Sequence, residues 1–269
     1  MHIDFHIHSN TSSDTEMTAA DIVMTAEERG IKAICITNHH EPMEVKKGDD
    51  KQSLTPEKTK RFNEELAAAR KNAGIKVMNG VELSYTENEE EDIKKFIADN
   101  NFDFVLGTIH YARGWQVADI RNKGKIAKKE EKKVLEEYFR RLKNAIKSGL
   151  FDVMAHMDNY KRLIEEPPFN ETKKEWEEVA RLLLETGTGF EINTSWSKIS
   201  PGGTYPSRQI IELLVERGVR IITTGSDAHR LTEIGIGIDD AEKLLIRLGV
   251  SNIYKFENRK AIAIKLNGE

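Results

Sequence analysis

The chain lacks the features of a secreted, membrane-spanning or nucleic-acid-coating protein. It has a single cysteine, Cys35, so no intrachain disulfide can form; the thiol lies in an apolar run, where a buried structural role is expected. No stretch of about 18 consecutive apolar residues is present, which excludes a transmembrane helix and leaves no membrane partner to expect. The N-terminal MHIDFHIHS reads as strand and has neither the basic nor the apolar region of a secretory signal, so a cytoplasmic location is expected. There is no basic excess: 41 Lys and Arg against 45 Asp and Glu give a net charge of -4. A phosphate backbone demands such an excess, and no nucleic-acid partner is expected. Low-complexity linkers and repeats of about 20–50 residues are also missing, so residues 1–269 are expected to form one domain.

What recurs instead is a short β-like run, a polar loop and an amphipathic helix. Strands are expected at Ile3–His8, Ala33–His39, Lys76–Leu83, Phe104–His110, Val153–Met157, Phe190–Ser195 and Arg220–Asp227. Helices are expected at Ala19–Arg29, Pro56–Asn72, Lys128–Lys147, Lys173–Glu185, Ser207–Arg217 and Asp240–Leu248. Thr18 and Thr55 suit helix starts, and Gly30, Gly74, Gly149, Gly187 and Gly218 suit left-handed helix ends. Helix-to-strand links are short. Strand-to-helix links are long and polar: Glu41–Thr55, Tyr111–Ile126, Asp158–Glu171 and Trp196–Pro206. That asymmetry favours a closed α/β barrel of seven strands, with its functional loops at the C-terminal ends of the strands. A doubly wound open sheet would concentrate its chemistry at one switch point, whereas here it is spread over every strand.

The histidines carry the functional signal. Of eight, all but His2 and His40 fall at or just past the C-terminal end of an expected strand. His2, Asp4, His6 and His8 share one face of the first strand, and Ile3, Phe5 and Ile7 the other. A polar inward face is costly unless something satisfies it, and a divalent metal does so. The other strand ends bring His39, Glu82, His110, His156, Glu191, Asn193, Asp227 and His229 to the same mouth. Mixed nitrogen and oxygen ligation suits Zn, Mn or Fe, and so many donors call for more than one ion, with Glu82 central enough to bridge two. Asp14 is a further candidate from the first loop; His40 is expected to be an exposed loop histidine and His2 a satisfied inward or bottom-face residue.

The set His6-x-His8, Asp14, Thr37-Asn38-His39, Gly80-Val81-Glu82, Gly107-Thr108-Ile109-His110, His156 and Gly225-Ser226-Asp227-Ala228-His229 resembles the PHP (polymerase and histidinol phosphatase) superfamily over essentially the whole chain. Three stretches are most similar to the histidinol-phosphate phosphatase branch: His110-Tyr111 with Gly114-Trp115, Phe151 to Asp158, and Glu191 to Ser195 with Tyr205-Pro206-Ser207. The resemblance implies a distorted seven-stranded TIM-like barrel with a cluster of three metal ions. It implies His6, His8, Glu82 and Asp227 at one ion, Glu82, His110 and His156 at a second, and Asp14, His39 and His229 at a third. Two positions depart from the common pattern or vary within it: Asn38 stands where Asp is frequent, and Asp14 where relatives carry His or Asp. Both bear on which metal occupies the third position.

The implied reaction is hydrolysis of L-histidinol phosphate to L-histidinol and phosphate, a step of histidine biosynthesis. About two to three divalent ions and a metal-bridging hydroxide would drive it. Asp227 or His229 is the expected proton donor to the leaving alkoxide, with Glu82 holding the ions. Arg162 is the first choice to hold phosphate, with Lys161, Lys198, Arg113 and Arg208 as further candidates. Trp115 and Trp196 lie in loops at the same mouth. A PHP-type phosphodiesterase or nuclease, or a phosphatase of another small phosphoester, is the rival reading; it lacks a basic track with stacking aromatics. Amide hydrolysis lacks a strand-end Lys for carbamylation, and a non-catalytic scaffold would have lost ligands that are all present here.

Overall fold

The computed structural model describes residues 2–42 and 52–266. The chain alternates strand and helix: β1 (Ile3–Ile7), α1 (Ala19–Glu28), β2 (Ala33–His40), α2 (Pro56–Arg70), β3 (Lys76–Ser84), α3 (Glu90–Asp99), β4 (Phe104–Thr108), and a short hairpin of β5 (Tyr111–Ala112) and β6 (Trp115–Gln116). It continues with α4 (Lys128–Ser148), β7 (Val153–Met154), α5 (Phe169–Thr186), β8 (Gly189–Asn193), α6 (Arg208–Glu216), β9 (Ile222–Gly225), α7 (Ile238–Arg247), and an antiparallel pair β10 (Asn252–Glu257) and β11 (Lys260–Lys265). No helix among the described residues is long and apolar enough to cross a membrane.

Seven strands form one parallel sheet in the order β1-β2-β3-β4-β7-β8-β9. The sheet nearly closes on itself. Asp227 N–H donates to His6 O at 2.8 Å, His8 N–H donates to Ala228 O at 3.1 Å, and the Thr224 hydroxyl donates to Ile3 O at 2.9 Å. The result is the expected distorted (β/α)7 barrel, and closure leaves the seam between β9 and β1 without a free sheet edge. Register then sets the chemistry: β2 pairs with β3 so that His39 lies beside Glu82.

The helices bury one stripe each. On α4 the buried residues are Val134, Tyr138, Phe139, Leu142, Ala145 and Ile146, a helical spacing that packs Phe139 edge-on against Trp176 of α5 with centroids 5.0 Å apart. Thr18 and Thr55 do cap α1 and α2, their hydroxyls accepting from Asp21 N and Lys58 N. Four of the five expected helix-ending glycines have positive φ. Gly74 does not: its φ is ordinary and its N–H donates to Glu27 Oε1 instead.

Three elements were not expected from the sequence, among them the short β5–β6 hairpin inside the expected loop Tyr111–Ile126. Helix α3 has a thin apolar stripe in an acidic segment, with Ile93 buried and Phe96 and Ile97 partly so. The β10–β11 pair turns through Asn258 and Arg259, both at positive φ, as a two-residue hairpin with right-handed twist requires. Phe256 packs on Phe104 with centroids 5.0 Å apart, and Arg259 reaches Asp152 at 2.5 Å, so the hairpin closes the end of the barrel opposite the strand C-termini.

Candidate metal centre

At the C-terminal mouth the strand ends deliver nine donor side chains to one place. His6 ends β1 and His8 follows it; Asp14 comes from the next loop; His39 and Glu82 end β2 and β3; His110, His156, Asp227 and His229 follow β4, β7 and β9. His6 Nε2 lies 3.4 Å from Glu82 Oε2 and 3.6 Å from Asp227 Oδ1, while His8 Nε2 lies 3.7 and 3.2 Å from the same two atoms. Glu82 Oε1 faces His110 Nε2 at 3.3 Å and His156 Nε2 at 2.7 Å. Asp14 Oδ2 faces His39 Nε2 at 3.3 Å and His229 Nε2 at 3.2 Å, and His39 Nδ1 also approaches Glu82 Oε2 at 2.8 Å. Donors bonded to one tetrahedral ion at about 2.0–2.2 Å stand roughly 3.3–3.6 Å apart. Seven of the nine spacings lie within about 0.1 Å of that range, the shorter contacts of Glu82 with His156 and His39 being of hydrogen-bond length, and Glu82 faces two neighbouring sets.

Hydrogen bonding gives an independent test of fit. Buried atoms of His6 (Nε2), His8 (Nδ1, Nε2), His39 (Nδ1) and Glu82 (both oxygens) have no hydrogen-bond partner among the described residues. Such an atom costs on the order of 1–3 kcal/mol if left so, and His6 Nε2, His8 Nε2, His39 Nδ1 and both Glu82 oxygens lie against one another in the cluster. Divalent cations satisfy nitrogen and carboxylate donors together, so the residues fit such ions.

At His6 and Glu82, burial and the neighbouring charges pull in opposite directions. Burial alone would lower the pKa of His6, but Glu191, Asp227 and Glu82 raise it well above the ordinary imidazole value. Burial and the neighbouring His39 and His229 hold His8 down to about 3, which keeps it a neutral donor. Burial would raise Glu82, yet His6, His110 and His39 pull it well below the carboxylate range. His156 and Asp227 both hold left-handed backbone, with φ of 46° and 52°. For residues with a Cβ this costs about 1–2 kcal/mol each, and it turns both side chains back over the mouth.

A second layer fixes the imidazoles. Glu191 Oε1 accepts from His6 Nδ1 at 2.7 Å and is itself held by Asn193 Nδ2 at 3.2 Å. Glu41 makes a very short contact with His110 Nδ1, and Asp227 O accepts from His229 Nδ1 at 3.0 Å. These bonds set the tautomer that leaves Nε2 as the donor atom. Asn38 Oδ1 accepts from Ser9 N at 2.8 Å, anchoring the loop that carries Asp14. Glu41 escaped sequence reading altogether, since a loop Glu gives no sign of its partner 69 residues away. His40 corrects an expectation: it is buried, stacked at 3.6 Å on Phe96, with Nδ1 3.1 Å from Leu54 O. His2 lies outside the cluster, paired with Glu242 at 3.0 Å.

Arg162 is the one basic candidate that lines the metal cavity, a space of about 210 Å³. Its guanidinium reaches Ser195 Oγ at 3.1 Å, Tyr205 OH at 3.3 Å and Asp227 Oδ2 at 3.5 Å. The other four do not line it. Lys161 is paired to Asp158 at 2.6 Å and lines a different cavity with Trp196 and Arg208; Lys198 bonds Glu233 at 2.8 Å and Asp227 O at 3.4 Å. Arg208 pairs with Glu212, and Arg113 sits exposed at the tip of the β5–β6 hairpin. Trp115 packs on the core and Trp196 against Tyr205.

Comparison with known proteins agrees with this arrangement. The chain is 25% identical over 264 residues to a probable histidinol-phosphatase of Deinococcus radiodurans, covering 96% of this chain and 97% of that one. It is 24% identical to a histidinol-phosphatase of Lactococcus lactis, over 96% and 95% of the two chains. The crystal structure of histidinol phosphate phosphatase from Lactococcus lactis, complexed with zinc, L-histidinol and phosphate, superposes with a TM-score of 0.80 at 22% identity, over 97% of this chain and 98% of that one. The model of the PHP domain matches residues 4–195, more than two thirds of the sequence. This chain belongs to the PHP domain family.

Proposed function

We propose that the protein is a metal-dependent phosphomonoesterase that hydrolyses L-histidinol phosphate to L-histidinol and phosphate. The observation that carries this reading is the convergence of nine donors, with buried orphaned atoms, seven of the nine lining a cavity that also holds the Arg162 guanidinium. The similarity to histidinol-phosphatases along nearly the whole chain supports the substrate.

His6, His8, Glu82 and Asp227 would hold one ion, Glu82, His110 and His156 a second, and Asp14, His39 and His229 a third. Bound divalent cations lower the pKa of water toward neutrality and neutralise phosphoryl oxygens. The chain does the rest. Arg162, already desolvated and aimed by Ser195 and Tyr205, offers a planar fork to the phosphate. Asp227 Oδ2 lies 3.5 Å from Arg162 Nη2, and so borders the place where that phosphate sits. It is the carboxylate oxygen best placed to take a proton from the attacking water and return it to the leaving alkoxide. His229 has Nδ1 engaged by Asp227 O and Nε2 by Asp14, which leaves it the poorer proton carrier.

The test is phosphate release by protein of measured metal content from histidinol phosphate, p-nitrophenyl phosphate, nucleoside monophosphates and short DNA. Histidinol phosphate should give the highest kcat/KM. Preference for nucleotides or DNA would overturn the substrate.

A further inference from the structure

Among the described residues, every carboxylate lining the metal cavity except one is committed to the cluster. Asp14, Glu82 and Asp227 are donors, and Glu41 holds His110. The remaining carboxylate is Asp119, in the loop after β6. Apart from it, the lining outside the cluster is neutral or cationic: Gln52, Gln116, Ala118, Arg121 and Arg162. We propose that Asp119 binds the ammonium group of the substrate, so that the cavity selects amino-alcohol phosphates over phosphates without an amine. The proposal rests on the phosphomonoesterase reading above.

The present bonds of Asp119 leave it available. Its Oδ1 accepts from Arg121 N at 2.9 Å and from Arg121 Nε at 2.8 Å, while Oδ2 takes no hydrogen bond among the described residues. The Arg121 side chain is 84% exposed and that of Asp119 only 17%. An ion pair to so exposed a guanidinium contributes little and competes weakly with a cation brought into the cavity. The hydrogen bond from Arg121 also holds the Asp119 carboxyl below its ordinary pKa, so it is anionic at neutral pH. A substrate that carries an ammonium on the carbon next to its phosphate-bearing carbon thus meets an arginine for the phosphate and, among the described residues, one uncommitted carboxylate for the ammonium.

Asp119→Asn removes the charge yet keeps Oδ1 as acceptor for Arg121 N–H, so the turn at residues 120–122 survives. Arg121→Gln breaks the same ion pair and leaves the carboxylate. Each variant and the wild type are assayed with histidinol phosphate and with its deamino analogue, 3-(imidazol-4-yl)propyl phosphate. The wild type should prefer the amine by roughly tenfold or more in kcat/KM. Asp119→Asn should erase that preference through KM, leaving the deamino analogue within about twofold. Arg121→Gln should retain it. Equal loss on both substrates, no change on either, or the same loss in Arg121→Gln would overturn the proposal. If the wild type cleaves neither imidazole compound but does cleave other phosphomonoesters, the substrate reading fails by itself, and 2-aminoethyl phosphate against ethyl phosphate puts the same question to Asp119. A wild type with metal bound that cleaves no phosphomonoester overturns both.

Discussion

Glu82 is the residue on which the site turns. One oxygen faces His110 and His156, and the other faces His6, His8 and His39, in a position too buried for water to satisfy either. His110→Ala or Asp227→Ala should abolish phosphate release while the far-UV circular dichroism stays that of the native barrel. A variant that keeps its turnover would remove that side chain from the site. The supporting carboxylates make a graded prediction. Glu41→Gln keeps the shape but weakens the hold on His110 Nδ1, and should cost about 10–100-fold in metal retention or kcat/KM, read by metal content after dialysis and by kinetics. Eight of the nine donors were legible because strand periodicity places residues at strand ends on one mouth, whatever their separation in sequence, while Asp14, in a loop, was carried by the resemblance to the PHP superfamily. Glu41 was not, because no periodicity governs a loop. His40, the last residue of β2, was misjudged for another reason: Phe96, which covers it, belongs to a helix that the sequence did not reveal.

Elements place these residues only where backbones can approach closely. At Gly225, near the end of β9, an added Cβ would stand 2.4 Å from His6 Cβ and 2.3 Å from Glu191 Oε1. Gly225→Ala should therefore displace the His6–Glu191 pair, destabilise the fold by about 1–3 kcal/mol in denaturant titration, and lower metal content with it. Phe256→Ala, on the hairpin at the far end, should cost about 3–5 kcal/mol yet leave the metal content of the folded protein unchanged. Together the two variants separate support of the site from support of the barrel. Short β-like runs, apolar at residues 33–36 and alternating in the first strand, made the seven strands visible. The strand β7 is shorter than expected, Val153–Met154 rather than Val153–Met157, because His156 takes left-handed backbone and ends the pairing. Helix α3 and the hairpin were hidden by chemistry of their own: three apolar residues among acids in one, and in the other an Asn-Arg turn without the usual glycine.

On the scale of the whole molecule, the donors run from His6 to His229, so bound cations would together tie nearly the entire barrel. A barrel interior rich in carboxylates and imidazoles is poorly satisfied without cations, and occupancy should be felt as stability. Removing metal with a chelator should lower Tm, and restoring Zn, Mn or Fe should raise it. At ion concentrations about a hundredfold above Kd, each site contributes about 2.7 kcal/mol. The most direct test is the metal stoichiometry of purified, dialysed protein by elemental mass spectrometry, with Glu82→Gln alongside. The geometry predicts about two to three divalent ions per wild-type chain, with a clear loss in the variant, whose central side chain no longer carries a charge. Fewer than about one ion per chain in a preparation that still releases phosphate in the presence of chelator would contradict it.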